Sequence, residues 1–406
     1  MTAPVGGESG HTRMFGGTLV VVQGTPFCNI DCSYCYLPDR ASSQRMSNEV
    51  LSAIFRRAFE SRRTIDPITF LWHAGEPLAA PLAMYEQAFE LAVAENRPFG
   101  REFRFAIQTN GTLINRKWTD FVRRRDIRIG VSLDGPAFVH DFHRKDRSGR
   151  GTHARTMAGI AHLRSADIGF SAIAVVSDHS LDYPDEIFEF FEREDIVNVA
   201  FNAETTLGVH LNSTLHSFER MERFFIRFLQ RISKSKSLFN IREISDAYRA
   251  IRNREGISNI HAGRNSTNAP YDVITVDRSG AFSTFCPELR SASAPRYSDF
   301  IMGNVMSDSF DAMEANAVFK QVNEEIRRGV DSCRTSCPYW FACYGGAPSS
   351  KFFETGRFDG TESGHCRHQK QAVVSALMKH IAVEGGLGLA DGSNGFARNG
   401  HARNVV

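Results

Sequence analysis

Thr25-Pro26-Phe27-Cys28-Asn29-Ile30-Asp31-Cys32-Ser33-Tyr34-Cys35-Tyr36 follows closely on an apolar run, Leu19-Val20-Val21-Val22. The cysteines are spaced C-x3-C-x2-C, so one short loop offers three thiolates. Cys28, Cys32 and Cys35 suit three irons of a 4Fe–4S cluster and leave the fourth iron without a protein ligand. An open iron is what a substrate-binding cluster needs, whereas an electron carrier usually closes all four positions. Spacing alone leaves a zinc loop as the alternative, although structural zinc normally takes four ligands.

Four further segments follow in order: Trp72-His73-Ala74-Gly75-Glu76-Pro77, Gln108-Thr109-Asn110-Gly111, Val131-Ser132-Leu133-Asp134-Gly135-Pro136 and His140-Asp141-Phe142-His143-Arg144. With Tyr34 before the last cysteine of the triplet, they resemble the radical S-adenosylmethionine (SAM) enzymes. The resemblance implies that the open iron chelates the methionine amino and carboxylate groups of SAM. Tyr34 would lie beside the adenine, and Glu76 would hydrogen-bond the methionine ammonium. Ser132 and Arg144 would contact the carboxylate or ribose, and Asn110 joins the same cofactor-binding set. Ala74 stands where the family has its first glycine. Asp134 is expected to brace the cofactor loop, and His73 either lies near the methionine or is simply packed.

The 406 residues suffice for one large or two modest domains. A net charge of +2 gives no argument for nucleic acid or an anionic membrane as a partner. No apolar stretch is long enough to span a bilayer, and the polar N-terminal segment lacks a signal core. Clustered cysteines together with an oxygen-sensitive cofactor point to a reducing, cytoplasmic setting.

Strand-like runs at 18–22, 68–72, 103–108, 127–132, 170–176 and 197–202 alternate with helical patterns at 49–61, 82–96, 116–125, 154–164 and 184–193. Ser47 is placed to cap the first helix. The alternation predicts an α/β fold with parallel strands and helices outside. It suits the partial (β/α)6 TIM-like barrel of the radical SAM enzymes, with motif residues at the strand ends. The predicted order is a disordered N-terminus (1–16), the barrel (17–235), a helical linker and loop (236–272), a cysteine-bearing second domain (273–384) and a flexible tail (385–406). His401 in that tail is expected to be solvated.

Cys333, Cys337, Cys343 and Cys366 would allow a fully ligated cluster, with zinc again the alternative from spacing. Cys343-Tyr344-Gly345-Gly346-Ala347-Pro348 and the following Lys351-Phe352-Phe353 segment resemble the SPASM extension of radical peptide maturases. That family usually devotes seven cysteines to two auxiliary clusters. Here the inner set lacks a cysteine at Ala347 and another near Asp308, and only Cys286 remains. The resemblance therefore implies one catalytic and one auxiliary 4Fe–4S cluster, with Cys286 a buried thiol or a substrate-side residue.

The flanking residues, including Gln23, Leu37-Pro38-Asp39-Arg40 and Ala347, resemble the glycine-rich-repeat maturases (GrrM/OscB type) over roughly residues 17 to 384. Members of that group join an aromatic ring carbon to the β-carbon two residues later in a ribosomally made precursor peptide, forming a three-residue cyclophane. The resemblance implies β-hydrogen abstraction by a 5′-deoxyadenosyl radical, attack on the ring, then loss of an electron and a proton. A flavodoxin or ferredoxin would supply the initiating electron. Asp277, Glu288 and Asp308 are the candidate bases. The precursor's leader is expected to use barrel or SPASM surface, since little chain precedes the first strand. Formylglycine formation in a sulfatase, thioether formation and a non-catalytic peptide-binding iron–sulfur subunit are the alternatives.

Overall fold

Seven parallel strands, each reached through a helical crossover, form the greater part of one sheet in the computed structural model, which describes residues 17–255 and 265–384. They are β1 Leu19–Val22, β2 Ile68–Trp72, β3 Phe103–Thr109, β4 Arg128–Ser132, β5 Phe170–Val176, β6 Asn198–Ala203 and β7 Asn240–Ile241. The crossovers hold α1 Asn48–Glu60, α2 Leu82–Asn96, α3 Arg116–Arg124, α4 Ala137–His143, α5 His153–Ser165, α6 Pro184–Arg193 and α7 Phe218–Ile232. Ser47 caps α1 as predicted, accepting from the Val50 amide at 3.3 Å.

Alternation along the strands sorts the side chains. Val20, Val22, Phe70, Trp72, Phe105, Ile107, Ile129 and Val131 join the large core shared with α-helical residues such as Leu51, Phe55 and Tyr85. The other parity belongs to the inner face. Leu19, Val21, Leu71, Ala106 and Val273 form a separate small cluster there. Gly130 and Ser132 share that parity, so much of the inner face carries small side chains.

The chain beyond β7 continues through α8 Arg242–Glu255 and then returns to the sheet. β8 Val273–Val276 pairs with β1 in parallel along its whole length, from Leu19 opposite Val273 to Val22 opposite Val276. β9 Ala281–Thr284 and β10 Gly303–Asn304 extend it antiparallel. The predicted second unit thus begins as a continuation of the barrel sheet, because the open β1 edge needs hydrogen-bond partners. Four helices follow: α9 Ala317–Ser336, α10 Trp340–Cys343, α11 Pro348–Thr355 and α12 Gly364–Cys366. A π-helical turn, Arg367–Gln371, then leads into α13 Ala372–Glu384, which packs back on α7 and α8. The predicted segments 1–16 and 385–406 and part of the loop at 258–271 lie outside the described residues. No helix among the described residues is long and apolar enough to cross a membrane.

Candidate active site

The cysteine loop leaves the end of β1 and is pinned through its own backbone. The Cys35 amide donates to Cys32 O at 3.2 Å, the Ser33 amide to His143 O at 3.1 Å and the Asp31 amide to Lys145 O at 2.7 Å. Arg40 reaches both Cys32 O (3.3 Å) and the Asp31 carboxylate (2.7 Å), while Arg147 Nη2 donates to Cys28 O at 2.9 Å. Burial pushes the Cys28 thiol up to about 12 and Cys32 up to about 11. Both are therefore thiols by themselves, and ligation by a cation is what would remove their protons.

Glu76 reaches this loop through a sharp turn. Gly75 has φ +63°, and a Cβ there would lie 2.5 Å from Thr25 O, so only glycine lets the two segments touch. The Glu76 amide then donates to Phe27 O at 2.7 Å. Its buried carboxylate accepts from the Leu78 amide (2.9 Å), Thr109 Oγ1 (2.6 Å) and the Asn110 amide (2.8 Å). Burial still raises its pKa against those donors. Asn110 Nδ2 donates to Asn29 Oδ1 at 2.9 Å and approaches Cys28 Sγ at 3.9 Å. Ser132 Oγ accepts from Gln108 Nε2 at 3.1 Å.

Tyr34 and Arg144 meet on Asp134. The Tyr34 hydroxyl donates to Oδ2 at 2.5 Å; Arg144 donates to both carboxylate oxygens, and its guanidinium lies 5.4 Å from the Tyr34 ring centroid. The Val175 amide adds a fourth donor to Asp134 at 2.9 Å. Burial, the largest single influence, would raise the Asp134 pKa, but the charges of Arg144 and His140 and the hydrogen bonds from Arg144 and Tyr34 together hold the carboxyl below its ordinary value. Asp134 thus has the bracing position expected of it. A chain that the sequence did not reveal runs alongside: Ser33 Oγ to His143 Nδ1 at 2.6 Å, and His143 Nε2 to Ser177 Oγ at 2.9 Å.

The second cysteine set gathers at the end of α9 and around α10 and α12. The Cys337 amide donates to Cys333 O at 2.9 Å. Tyr344, Gly345 and Gly346 all have positive φ, which wraps the backbone around Cys343. Asn265 Nδ2 holds Cys343 O at 2.6 Å, and Asn268 Nδ2 holds Tyr344 O at 2.7 Å. The Cys366 thiol donates to Cys343, holding the Cys343 thiol below its ordinary value and raising that of Cys366. Among the described residues no three His, Cys, Asp or Glu side chains converge as a single-ion site.

The three candidate bases have different fates. Asp277 accepts from the Ser279 amide (2.8 Å) and hydroxyl (2.6 Å) and pairs with Arg290 at 2.9 Å. Asp308 accepts from the Asn304 amide (2.8 Å) and Ser307 Oγ (2.9 Å) within its own turn. Glu288 instead sits on a 3-10 turn, Pro287–Ser291, packed across β8 and β9. It hydrogen-bonds Ser349, and its charge is felt by the Tyr36 phenol next to Cys35. Burial raises its pKa. Cys286 is buried beside it, its thiol donating to Thr267 O at 3.6 Å.

The Radical SAM superfamily matches residues 22–191, a span containing the loop cysteines, Glu76, Ser132 and Arg144. An uncharacterized protein of Synechocystis sp., sll1766, is 40% identical over 383 residues, covering 93% of this chain and 94% of that protein. The chain belongs to the radical SAM superfamily. It is also 36% identical over 180 residues to the serine-type anaerobic sulfatase-maturating enzyme of Bacteroides thetaiotaomicron, spanning 43% of each chain. Among solved structures, native anSMEcpe with bound AdoMet and Cp18Cys peptide superimposes with a TM-score of 0.75 at 18% identity, covering 91% of this chain and 99% of that one. That likeness establishes the shared fold.

Radical SAM membership brings a 4Fe–4S cluster and SAM as cofactors, and the strand ends fit them. Three thiols on one loop match the donor set of a cluster with one open iron. Gln23 Nε2, just after β1, and Gln108 Oε1, at the end of β3, are buried without hydrogen-bond partners. Such atoms are costly unless a ligand satisfies them. The open groove between α6 and α7, lined by Arg220, Phe224 and Arg227, shares none of these residues.

Proposed function

We propose that this radical SAM enzyme is a peptide maturase that joins an aromatic ring carbon to a nearby β-carbon of a ribosomally made precursor, closing a three-residue cyclophane. The observation that carries the reading is the cysteine inventory. Of eight cysteines, three lie on the β1 loop, four gather at the second set, and Cys286 is left buried alone. Ala347, where the inner auxiliary set would need a thiol, opens α11. That alanine is the feature by which the Cys343–Pro348 segment resembles the glycine-rich-repeat maturases, and the remaining cysteines allow one auxiliary cluster.

When bound and reduced by one electron, SAM on an open-iron cluster supplies a radical able to take hydrogen from an unactivated carbon. The chain's own residues do the rest. Cys28, Cys32 and Cys35 would hold the iron, Glu76 would accept from the methionine ammonium, and Asn110, Ser132 and Arg144 would surround the remainder. Tyr34, fixed by Asp134, would lie along the adenine. A peptide segment would lie along the inner barrel face, with its target carbon held against the reacting centre. Restoring the aromatic ring requires loss of one proton and one electron. Glu288, half-buried, raised in pKa by desolvation and with its charge felt at the Tyr36 phenol, would take the proton. Cys333, Cys337, Cys343 and Cys366 would hold the auxiliary cluster that offers the electron an exit. A flavodoxin or ferredoxin would deliver the initiating electron.

A second reading, oxidation of one serine or cysteine to formylglycine, is favoured by the 36% identity to a serine-type sulfatase-maturating enzyme. Anaerobic co-expression with a candidate precursor peptide separates them. A product lighter by two hydrogens, with no backbone fragmentation inside an aromatic-x-x segment, supports the cyclophane. The same loss confined to one serine, or replacement of a cysteine thiol by an aldehyde oxygen with release of sulfide, supports formylglycine.

A further inference from the structure

Lys351 lies one turn into α11, with only 4% of its surface exposed. Its ammonium donates to Cys333 Sγ at 3.4 Å and to Gly329 O at 3.4 Å. Among the described residues no carboxylate lies within ion-pair reach of it. A buried ammonium is ordinarily paired with negative charge, which the ligand sulfurs of a loaded centre would supply. Lys370 adds a second positive charge near the same set, felt at Cys343 together with that of Lys351.

We infer that Lys351 is the resident counter-charge of the Cys333–Cys337–Cys343–Cys366 centre and raises that centre's affinity for an electron. This rests on the reading that the four thiols hold an iron–sulfur cluster. Four thiolates around such a cluster leave a net negative charge, and adding one electron makes it more negative by one. A buried ammonium in contact with one ligand sulfur stabilises the more negative state more than the less negative one. Charge and hydrogen bonds to the sulfurs are recognised levers on cluster potentials. Lys351 is thus a positioning residue for charge, with no contact to substrate required.

The test uses full-length protein carrying C28A, C32A and C35A, reconstituted anaerobically with iron and sulfide so that only the second set is loaded. Iron content and the midpoint of a dithionite titration followed by electron paramagnetic resonance are the two readouts. The expected result is that Lys351→Met keeps its iron but titrates at lower potential, while Lys351→Arg stays near the parent. Iron retained at an unchanged potential in Lys351→Met overturns the inference. If Lys351→Met loses its iron, retention by Lys351→Arg supports the counter-charge, and loss in both overturns it in favour of packing alone. Cys343→Ala is the separate control: unchanged iron there overturns the cluster reading itself.

Discussion

Arg144 closes on Asp134 with two parallel hydrogen bonds, Nε to Oδ2 at 2.9 Å and Nη2 to Oδ1 at 3.0 Å. Both side chains are almost wholly buried, and Asp134 is also the acceptor for Tyr34. One carboxylate therefore fixes the last turn of the cysteine loop and the residue ending α4. Asp134→Asn leaves the Arg144 charge buried without its counterion. We expect a loss of about 3–5 kcal/mol in urea denaturation of the metal-free protein, together with weaker SAM binding. Unchanged stability would show that the pair is not a brace.

Ala74 adopts φ +77°, a left-handed conformation that costs a residue with a Cβ roughly 1–2 kcal/mol. Glycine removes that strain but adds freedom to the unfolded chain, worth about 0.4–1 kcal/mol in the opposite sense. Ala74→Gly should therefore stabilise by up to about 1 kcal/mol with SAM cleavage intact. A drop in the denaturation midpoint would mean that the Ala74 methyl, itself buried, contributes more than the strain removes.

His140 is wholly buried, its Nδ1 accepting from the Asp134 amide at 3.4 Å and its Nε2 paired with Thr152 Oγ1 at 3.0 Å. Burial pushes its pKa down to about 3. Below pH about 6.5 the unfolded histidine takes up a proton that the folded one refuses. Its contribution to stability is thus complete above that pH and declines as pH falls from about 6.5 toward 3. Denaturation of the metal-free protein at pH 7.5 and 5.0 should show the loss, and His140→Gln should flatten the slope. An equal slope in both proteins contradicts the assignment.

Glu288→Gln separates proton transfer from radical formation. With a precursor present, reductive cleavage of SAM should continue while cross-linked product falls by roughly 100-fold or more. Asp277→Asn should leave product formation within a few-fold of the parent, its carboxylate being engaged by Arg290 and Ser279. Equal losses in both variants, or loss of SAM cleavage in Glu288→Gln, would remove Glu288 from the role of base.

Much of this architecture was legible in the sequence because its signals are local. The β1–β6 runs are apolar and bounded by turns, the thiol loop, Glu76 and Ser132 sit at or just beyond strand ends, and Arg144 closes a recognisable motif after β4. Where the information is non-local, the sequence was silent. α4 is too short to show a helical period, and β7 has only two residues. Nothing in Val273–Val276 announces that it pairs with β1, since that choice depends on which sheet edge is left open. The three candidate bases were indistinguishable as isolated acids. Only the folding of Pro287–Ser291 across the sheet brings the Glu288 charge within reach of the Tyr36 phenol, while Asp277 and Asp308 are tied into turns. Lys351 carried no signal, because its meaning comes from contact with Cys333 on another helix.

The most direct measurement uses a precursor deuterated at the β-carbon two residues after its aromatic ring. It is incubated anaerobically with the reconstituted enzyme, SAM and reductant. One deuterium should move from peptide to 5′-deoxyadenosine, giving a product resistant to fragmentation between ring and β-carbon. Deuterium kept in the peptide, with a serine or cysteine converted to an aldehyde instead, would contradict the cyclophane assignment.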